Sequence, residues 1–232
     1  MKWVLFSMMR RQSERLPDKM LKRIWTPIGH VSLAHWAAHR LADMAKSLGL
    51  DYVIGIAHDE FPALVRVHPT IWRSPESLAA ETVATLQRDI PPRFDDYDWA
   101  LHINACCPLL TTATVGRFIE EASAKFGCNY EHGVQPAFED NGFVYVGNDR
   151  LYPPGRELLS LNTKTNSPFF VPCHAFSAFP AKRVGRLLTP TGGYISVGKR
   201  RSEFLDIDTA DDLEIVAAFS SWRYRQLCSI IE

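Results

Sequence analysis

The segment Arg10-Arg11-Gln12-Ser13-Glu14-Arg15-Leu16-Pro17-Asp18-Lys19 gathers cations and a hydroxyl into one short stretch, directly after the apolar run Trp3-Val4-Leu5-Phe6. A loop that ends a first buried strand is where open α/β sheets bind ligands. Guanidinium forks and an ammonium there suit an anion bearing several phosphates, because they share its charge. Far along the chain, Leu205-Asp206-Ile207-Asp208-Thr209 supplies the opposite sign. Carboxylates at i and i+2 of an extended segment face the same way and can hold a divalent metal. A polycationic loop and a carboxylate pair together point to phosphoryl-type chemistry on a nucleotide. Each has a plainer reading too. Arg10, Arg11, Arg15 and Lys19 also fit a solvated loop with internal ion pairs. Asp208 and Thr209 also fit the cap of a following helix, a role compatible with metal binding.

The elements that must position these residues follow from hydrophobic spacing. Trp3 to Ser7 reads as a buried strand. From His30 to Leu48, the residues Leu33, Trp36, Ala37, Leu41, Met44 and Leu48 share one face, which predicts an amphipathic helix closed by Gly49. Tyr52–Ala57 and Trp99–Ile103 predict two further strands. A helix is expected from about Pro75 to Arg88, before the Pro91-Pro92 break. Another, capped by Thr112, carries Val115, Phe118, Ile119 and Ala122 inward. Strand and helix in alternation give an α/β fold with a mainly parallel, doubly wound (Rossmann-like) sheet. From about 129 to 197 the pattern changes to short apolar runs broken by Gly, Pro and Asn, read as a mixed-strand insertion within a single domain spanning 1–232. A last helix begins near Ala210 and carries Leu213, Val216, Ala217 and Phe219.

Composition removes several function classes. At 232 residues with 46% hydrophobic residues, the chain can bury a real core. Lys+Arg and Asp+Glu balance at 26 each, so no overall field favours nucleic acid or an anionic membrane. Five cysteines (Cys106, Cys107, Cys128, Cys173, Cys228) without a Cys-x-x-Cys pair argue against a disulfide framework or structural zinc, and for a reducing cytoplasm. No signal peptide and no apolar run long enough to span a bilayer is expected.

Four blocks in order carry a resemblance to the CMP-sugar synthetases, the cytidylyltransferases that activate sialic acids and the keto-deoxy acid Kdo. They are Arg10-x-x-Ser13-x-Arg15-x-Pro17-x-Lys19, Arg73-Ser74-Pro75-Glu76-Ser77-Leu78-Ala79-Ala80-Glu81, Asn104-Ala105-Cys106-Cys107-Pro108-Leu109, and Asp206-Ile207-Asp208-Thr209-x-x-Asp212-Leu213. His174-Ala175-Phe176 resembles a stretch lining the sugar pocket. The resemblance implies a sheet of the nucleotidyltransferase type and attack of an acid sugar on the α-phosphate of CTP. It implies Arg10, Ser13, Arg15, Lys19, Arg73 and Asn104 at the nucleotide, with Lys19, Arg10 and Asp208 carrying the catalysis. It further implies Mg²⁺ on Asp206 and Asp208, Asn104, His174 and Phe176 at the acceptor, and a homodimer.

Departures from that pattern keep other readings open. The loop has Arg11 and Gln12 where the family often has glycine. Asn104, Cys106 and Cys107 replace Gln and Thr/Ser, and Glu81 replaces Asp. These motivate a non-sugar acceptor such as a phosphonate, or a nucleotide-binding homologue without turnover. Arg73 is equally explained by an ion pair with Glu76. His174 beside Phe176 also reads as a packed, hydrogen-bonded histidine, and Cys106 and Cys107 as buried small hydrophobes. Lys199, Arg200 and Arg201 read as surface cations or as partners of an acceptor carboxylate.

Overall fold

The computed structural model describes residues 1–57, 59–73, 94–140, 144–146, 149–152, 169–183, 192–197 and 201–231. The expected helix from Pro75 to Arg88, the block from Ser74 to Glu81, and Lys199 and Arg200 lie outside them.

Four strands form the parallel heart of the sheet: β1 (Trp3–Met8), β4 (Asp51–Ile56), β5 (Thr70–Trp72) and β6 (Trp99–Ile103). Their spatial order is β6-β1-β4-β5, all pairs parallel. The chain therefore winds outward from β1 to one side, then crosses back to place β6 on the other. Both faces are apolar, as a covered parallel sheet requires. Trp3 and Leu5 join the main core, while Val4 and Phe6 pack with Val53, Phe94, Ala100 and Phe179 on the opposite face.

The main core is closed by α1 (Leu33–Leu48) and α3 (Thr112–Phe126), with a short helix α2 (Pro62–Val65) between β4 and β5. The start expected at His30 moves to Leu33, because Arg23–Thr26 (β2) and Gly29–Ser32 (β3) form a hairpin. Ser32 is the N-cap of α1, its hydroxyl accepting from the His35 amide, and Gly49 ends the helix in the left-handed region. Thr111 caps α3, one residue earlier than expected, through the amide of Thr114.

The mixed-strand region extends the main sheet. Strand β11 (Phe176–Pro180) runs antiparallel to β6, and β7 (Val134–Asp140) pairs with β11, with β10 (Phe169–Pro172) and with β12 (Gly193–Ser196). Within this region, β8 (Val144–Val146) and β9 (Asp149–Tyr152) form a separate antiparallel ladder. The last helix, α4 (Ala210–Ile231), begins where expected.

Candidate functional site

The order of strands reverses between β1 and β6, and the loops leaving their carboxyl ends flank a crevice of the kind where doubly wound sheets bind ligands. Residues 9–18 leave β1, and Asn104 to Thr111 leave β6. Because β11 runs antiparallel to β6, with Phe176 opposite Ile103, the turn holding His174 and Ala175 arrives at the same end.

Lys19 Nζ donates to the backbone oxygen of Ile207 at 2.7 Å and to Asp208 Oδ1 at 3.1 Å. Arg15 donates to the other carboxylate oxygen of Asp208 at 2.6 Å. The two ends of the chain thus meet across a sequence separation of 189 residues. Asn104 Nδ2 donates to Asp206 Oδ2 at 3.0 Å and to the His174 carbonyl at 3.3 Å, while its Oδ1 accepts from the Cys106 amide at 2.9 Å. The Ile207 amide donates to the Cys106 carbonyl at 2.9 Å, so the two acid residues straddle a backbone link to the β6 loop.

Burial shapes the charge states. Burial pushes the Asp206 carboxyl upward and the negative charge of Asp208 adds to it; Lys19, Asn104 and Arg15 pull the other way. Burial pulls the Lys19 ammonium downward, but Cys106, Asp208 and Asp206 outweigh it and the net shift is upward. Cys106 is pushed to about 11, burial being the largest cause, which favours the protonated thiol at neutral pH. Cys107 is buried and its thiol is raised well above the ordinary range, again by burial.

Asp206 Oδ1 is buried without a hydrogen-bond partner. An orphaned carboxylate oxygen beside a second acid fits a hard divalent cation. Among the described residues no group of three or more His, Cys, Asp or Glu could hold a metal. Mg²⁺ is commonly held by one or two carboxylates plus substrate phosphates, and a two-acid site suits that arrangement.

The remaining expected site residues fall as follows. Arg10 is exposed on the loop. Ser13 Oγ accepts from the Leu16 amide at 3.4 Å, bracing the turn. Arg73 donates to the Met9 carbonyl at 3.0 Å, where the cationic loop begins. His174 is exposed, and it is its backbone carbonyl that Asn104 reaches. Phe176 is fully buried, its ring 4.8 Å from that of Phe118, which is the environment of a core residue rather than a pocket wall.

Helix capping falls to Thr209 rather than Asp208. Thr209 Oγ1 accepts from the Asp212 amide at 3.2 Å, and Asp212 Oδ2 accepts from the amides of Thr209 and Asp208 at 2.8 and 3.0 Å. This reciprocal box leaves the Asp208 carboxylate free to face Lys19. The Thr-x-x-Asp spacing is the signal that marks it in the sequence. Two buried ions behind the site, Arg40 and Glu203, have no functional reading from the sequence alone. Arg40 lies on the inner face of α1 between Trp36 and Met44, where a charge is out of place.

No family model matches the chain, and no curated protein does. Solved structures do match. CMP:2-keto-3-deoxy-manno-octonic acid synthetase complexed with CTP aligns with a TM-score of 0.65 at 14% identity, covering 96% of this chain and 100% of that one. The fold is that of the cytidylyltransferases. The 4-diphosphocytidyl-2C-methyl-D-erythritol synthase of Anaerococcus prevotii aligns at 0.58 with 10% identity, over 94% of this chain and 97% of that one. Molybdopterin-guanine dinucleotide biosynthesis protein A of Archaeoglobus fulgidus aligns at 0.56 with 11% identity, over 94% and 98%. The same scaffold thus occurs in a protein named for a guanine dinucleotide, so base choice rests on side chains and not on the fold.

Proposed function

We propose that this chain is a cytidylyltransferase that transfers CMP from CTP to an acidic sugar and releases pyrophosphate. The observation that carries the reading is the meeting of Lys19 and Asp208 at the strand reversal, with Asp206 alongside. The likeness of fold to a synthetase complexed with CTP supports it.

In this reading the acceptor hydroxyl loses its proton to solvent and its oxygen bonds to the α-phosphorus as the bond to pyrophosphate breaks. Such a transfer needs charge compensation and in-line positioning more than covalent help. Lys19, held by the Ile207 carbonyl, presents its ammonium to the phosphates. Arg15 swings from Asp208 to the triphosphate, and Arg10 adds a further cation from the loop. Asn104 fixes the Asp206 carboxylate and, with His174, borders the acceptor. Asp206 and Asp208 would hold Mg²⁺, which when bound offsets phosphate charge and lowers the pKa of a coordinated hydroxyl.

The test is pyrophosphate release from CTP with a panel of sugar acids and Mg²⁺. Release with at least one acid, abolished in Asp208→Ala, supports the reading; no release with any acid removes it. Running phosphonates in the same panel separates the non-sugar acceptor. A homodimer is part of the proposal, supported by exposed Trp25, Ile28, Ile215 and Phe219 on β2–β3 and α4.

A further inference from the structure

We propose that Arg40 and Glu203 are positioning residues that clamp the two walls of the site together from behind. The proposal deepens the transferase reading and rests on it for its catalytic consequence.

The loop from Asn104 to Thr111 must turn from β6 into α3 while aiming the Asn104 side chain at Asp206 and the Cys106 carbonyl at Ile207. Within the loop, the Cys107 amide donates to the Asn104 carbonyl at 3.2 Å and the Leu110 amide donates to the Cys107 carbonyl at a long 3.4 Å, and buried carbonyls favour stronger donors. Helix α1 supplies them. Trp36 Nε1 donates to the Pro108 carbonyl at 3.0 Å, and Arg40 donates to the carbonyls of Cys107 and Leu110 at 2.7 and 2.5 Å. A single guanidinium therefore bridges two carbonyls three positions apart in the loop, which a lysine could not do in the same plane.

Glu203 holds the other wall. It is 3% exposed and its Oε2 accepts from the hydroxyls of Thr111 and Thr114 at 2.9 and 2.7 Å. Those two residues are the cap and first turn of α3, at the far end of the same loop. Glu203 lies three residues ahead of Asp206, so its contacts with the two threonines fix where the acidic segment starts. The Cys107 thiol, 4.0 Å from the Phe204 carbonyl, and the Ile207 amide on Cys106 complete the seam. Burial lowers the Arg40 guanidinium to about 10, against which Cys107 and Glu203 act, so the negative charge of Glu203 favours the charged form of Arg40. An apolar pair would pack here at less desolvation cost, so the ions are retained for the geometry they impose.

The experiment compares Glu203→Ala, Glu203→Gln and Arg40→Met, with Thr114→Val as a milder cut of the same seam. Amide exchange at Ile207 reads the seam directly, and the Ile54 amide in the parallel sheet serves as the internal control. Expected are at least tenfold faster exchange at Ile207 in Glu203→Ala and Arg40→Met, a smaller rise in Thr114→Val, and no change at Ile54. Glu203→Gln keeps an acceptor oxygen and should stay within threefold of the unaltered protein. Turnover should fall at least tenfold in Glu203→Ala while CTP affinity measured by calorimetry changes less than twofold. Wild-type exchange at Ile207 in folded Glu203→Ala would overturn the clamp, as would equal loss of turnover and CTP affinity. If the unaltered protein turns over no acceptor, the transferase reading fails, and the exchange rates alone still decide the clamp. Should Glu203→Ala and Arg40→Met not fold, the comparison passes to Thr114→Val and Glu203→Gln. Faster Ile207 exchange in Thr114→Val than in Glu203→Gln then supports the clamp, and unaltered exchange in Thr114→Val overturns it.

Discussion

Asp208 is neutralised twice, by a lysine whose side chain is 12% exposed and by an arginine whose side chain is 70% exposed. The difference divides their labour. Lys19 is also tied to a backbone carbonyl and stays in place, whereas an exposed ion pair such as Arg15–Asp208 is worth at most about 1 kcal/mol and exchanges readily. Arg15→Ala should therefore act in opposite directions on two ligands. Mn²⁺ binding to the ligand-free protein, followed by electron paramagnetic resonance, should tighten about two- to fivefold, while CTP binding should weaken by a similar factor. Weakening of both would mean Arg15 only braces the fold. If the proposed transfer holds, Lys19→Ala should lower pyrophosphate release by about a hundred- to a thousandfold with an unchanged circular dichroism spectrum. Asp18, just ahead of Lys19, sits in the left-handed region at φ 52 and pairs with Arg11. The left-handed turn of this loop falls at Asp18, and Arg11 and Gln12 do not share it.

Strand β6 and helix α4 carry two consequences of their own. His102 on β6 packs its ring 5.1 Å from Phe6, and burial, helped by the charge of Arg73, lowers it to about 4. Above pH 6.5 both folded and unfolded chains hold it neutral. As pH falls toward 4 the unfolded chain takes up a proton that the folded chain refuses, so stability declines with acid, by up to about 3 kcal/mol. Urea midpoints measured between pH 7 and 4 should fall more steeply in the unaltered protein than in His102→Leu; parallel slopes would exclude His102 as the cause. Asp212→Ala opens the capping box of α4 and should cost about 1 kcal/mol by thermal melting. At this scale the sequence is readable wherever one period dominates. Strands β1, β4 and β6 and helices α1, α3 and α4 all follow from apolar spacing. The β2–β3 hairpin escapes because Arg23, Trp25, His30 and Ser32 alternate too briefly to compete with the helical pattern that begins in the next residues. Phe176 leaves its expected place at the acceptor for the opposite reason: it follows a site residue in sequence, but alternation along β11 turns it into the core. Lys19, Asp206 and Asp208 are legible as charges, whereas their contact depends on the strand order, which no local pattern encodes.

Across the whole molecule, no helix among the described residues is long and apolar enough to cross a membrane. The exposed Trp25, Ile28, Ile215 and Phe219 predict self-association. Sedimentation should give a dimer mass that reverts to a monomer in Trp25→Ser/Phe219→Ser, and a monomer at all micromolar concentrations would discard the dimer. The long span between Lys19 and Asp208 has a further result for how the molecule comes into being. Closing a loop of that length carries a large entropic penalty and contributes nothing until the sheet between is assembled. During synthesis the cationic loop emerges well before the acids and waits for them. A chain that stops before Asp206 should bind polyphosphate weakly and without help from divalent ions, so on the proposed reading the site becomes complete only after the sheet between its two halves has assembled.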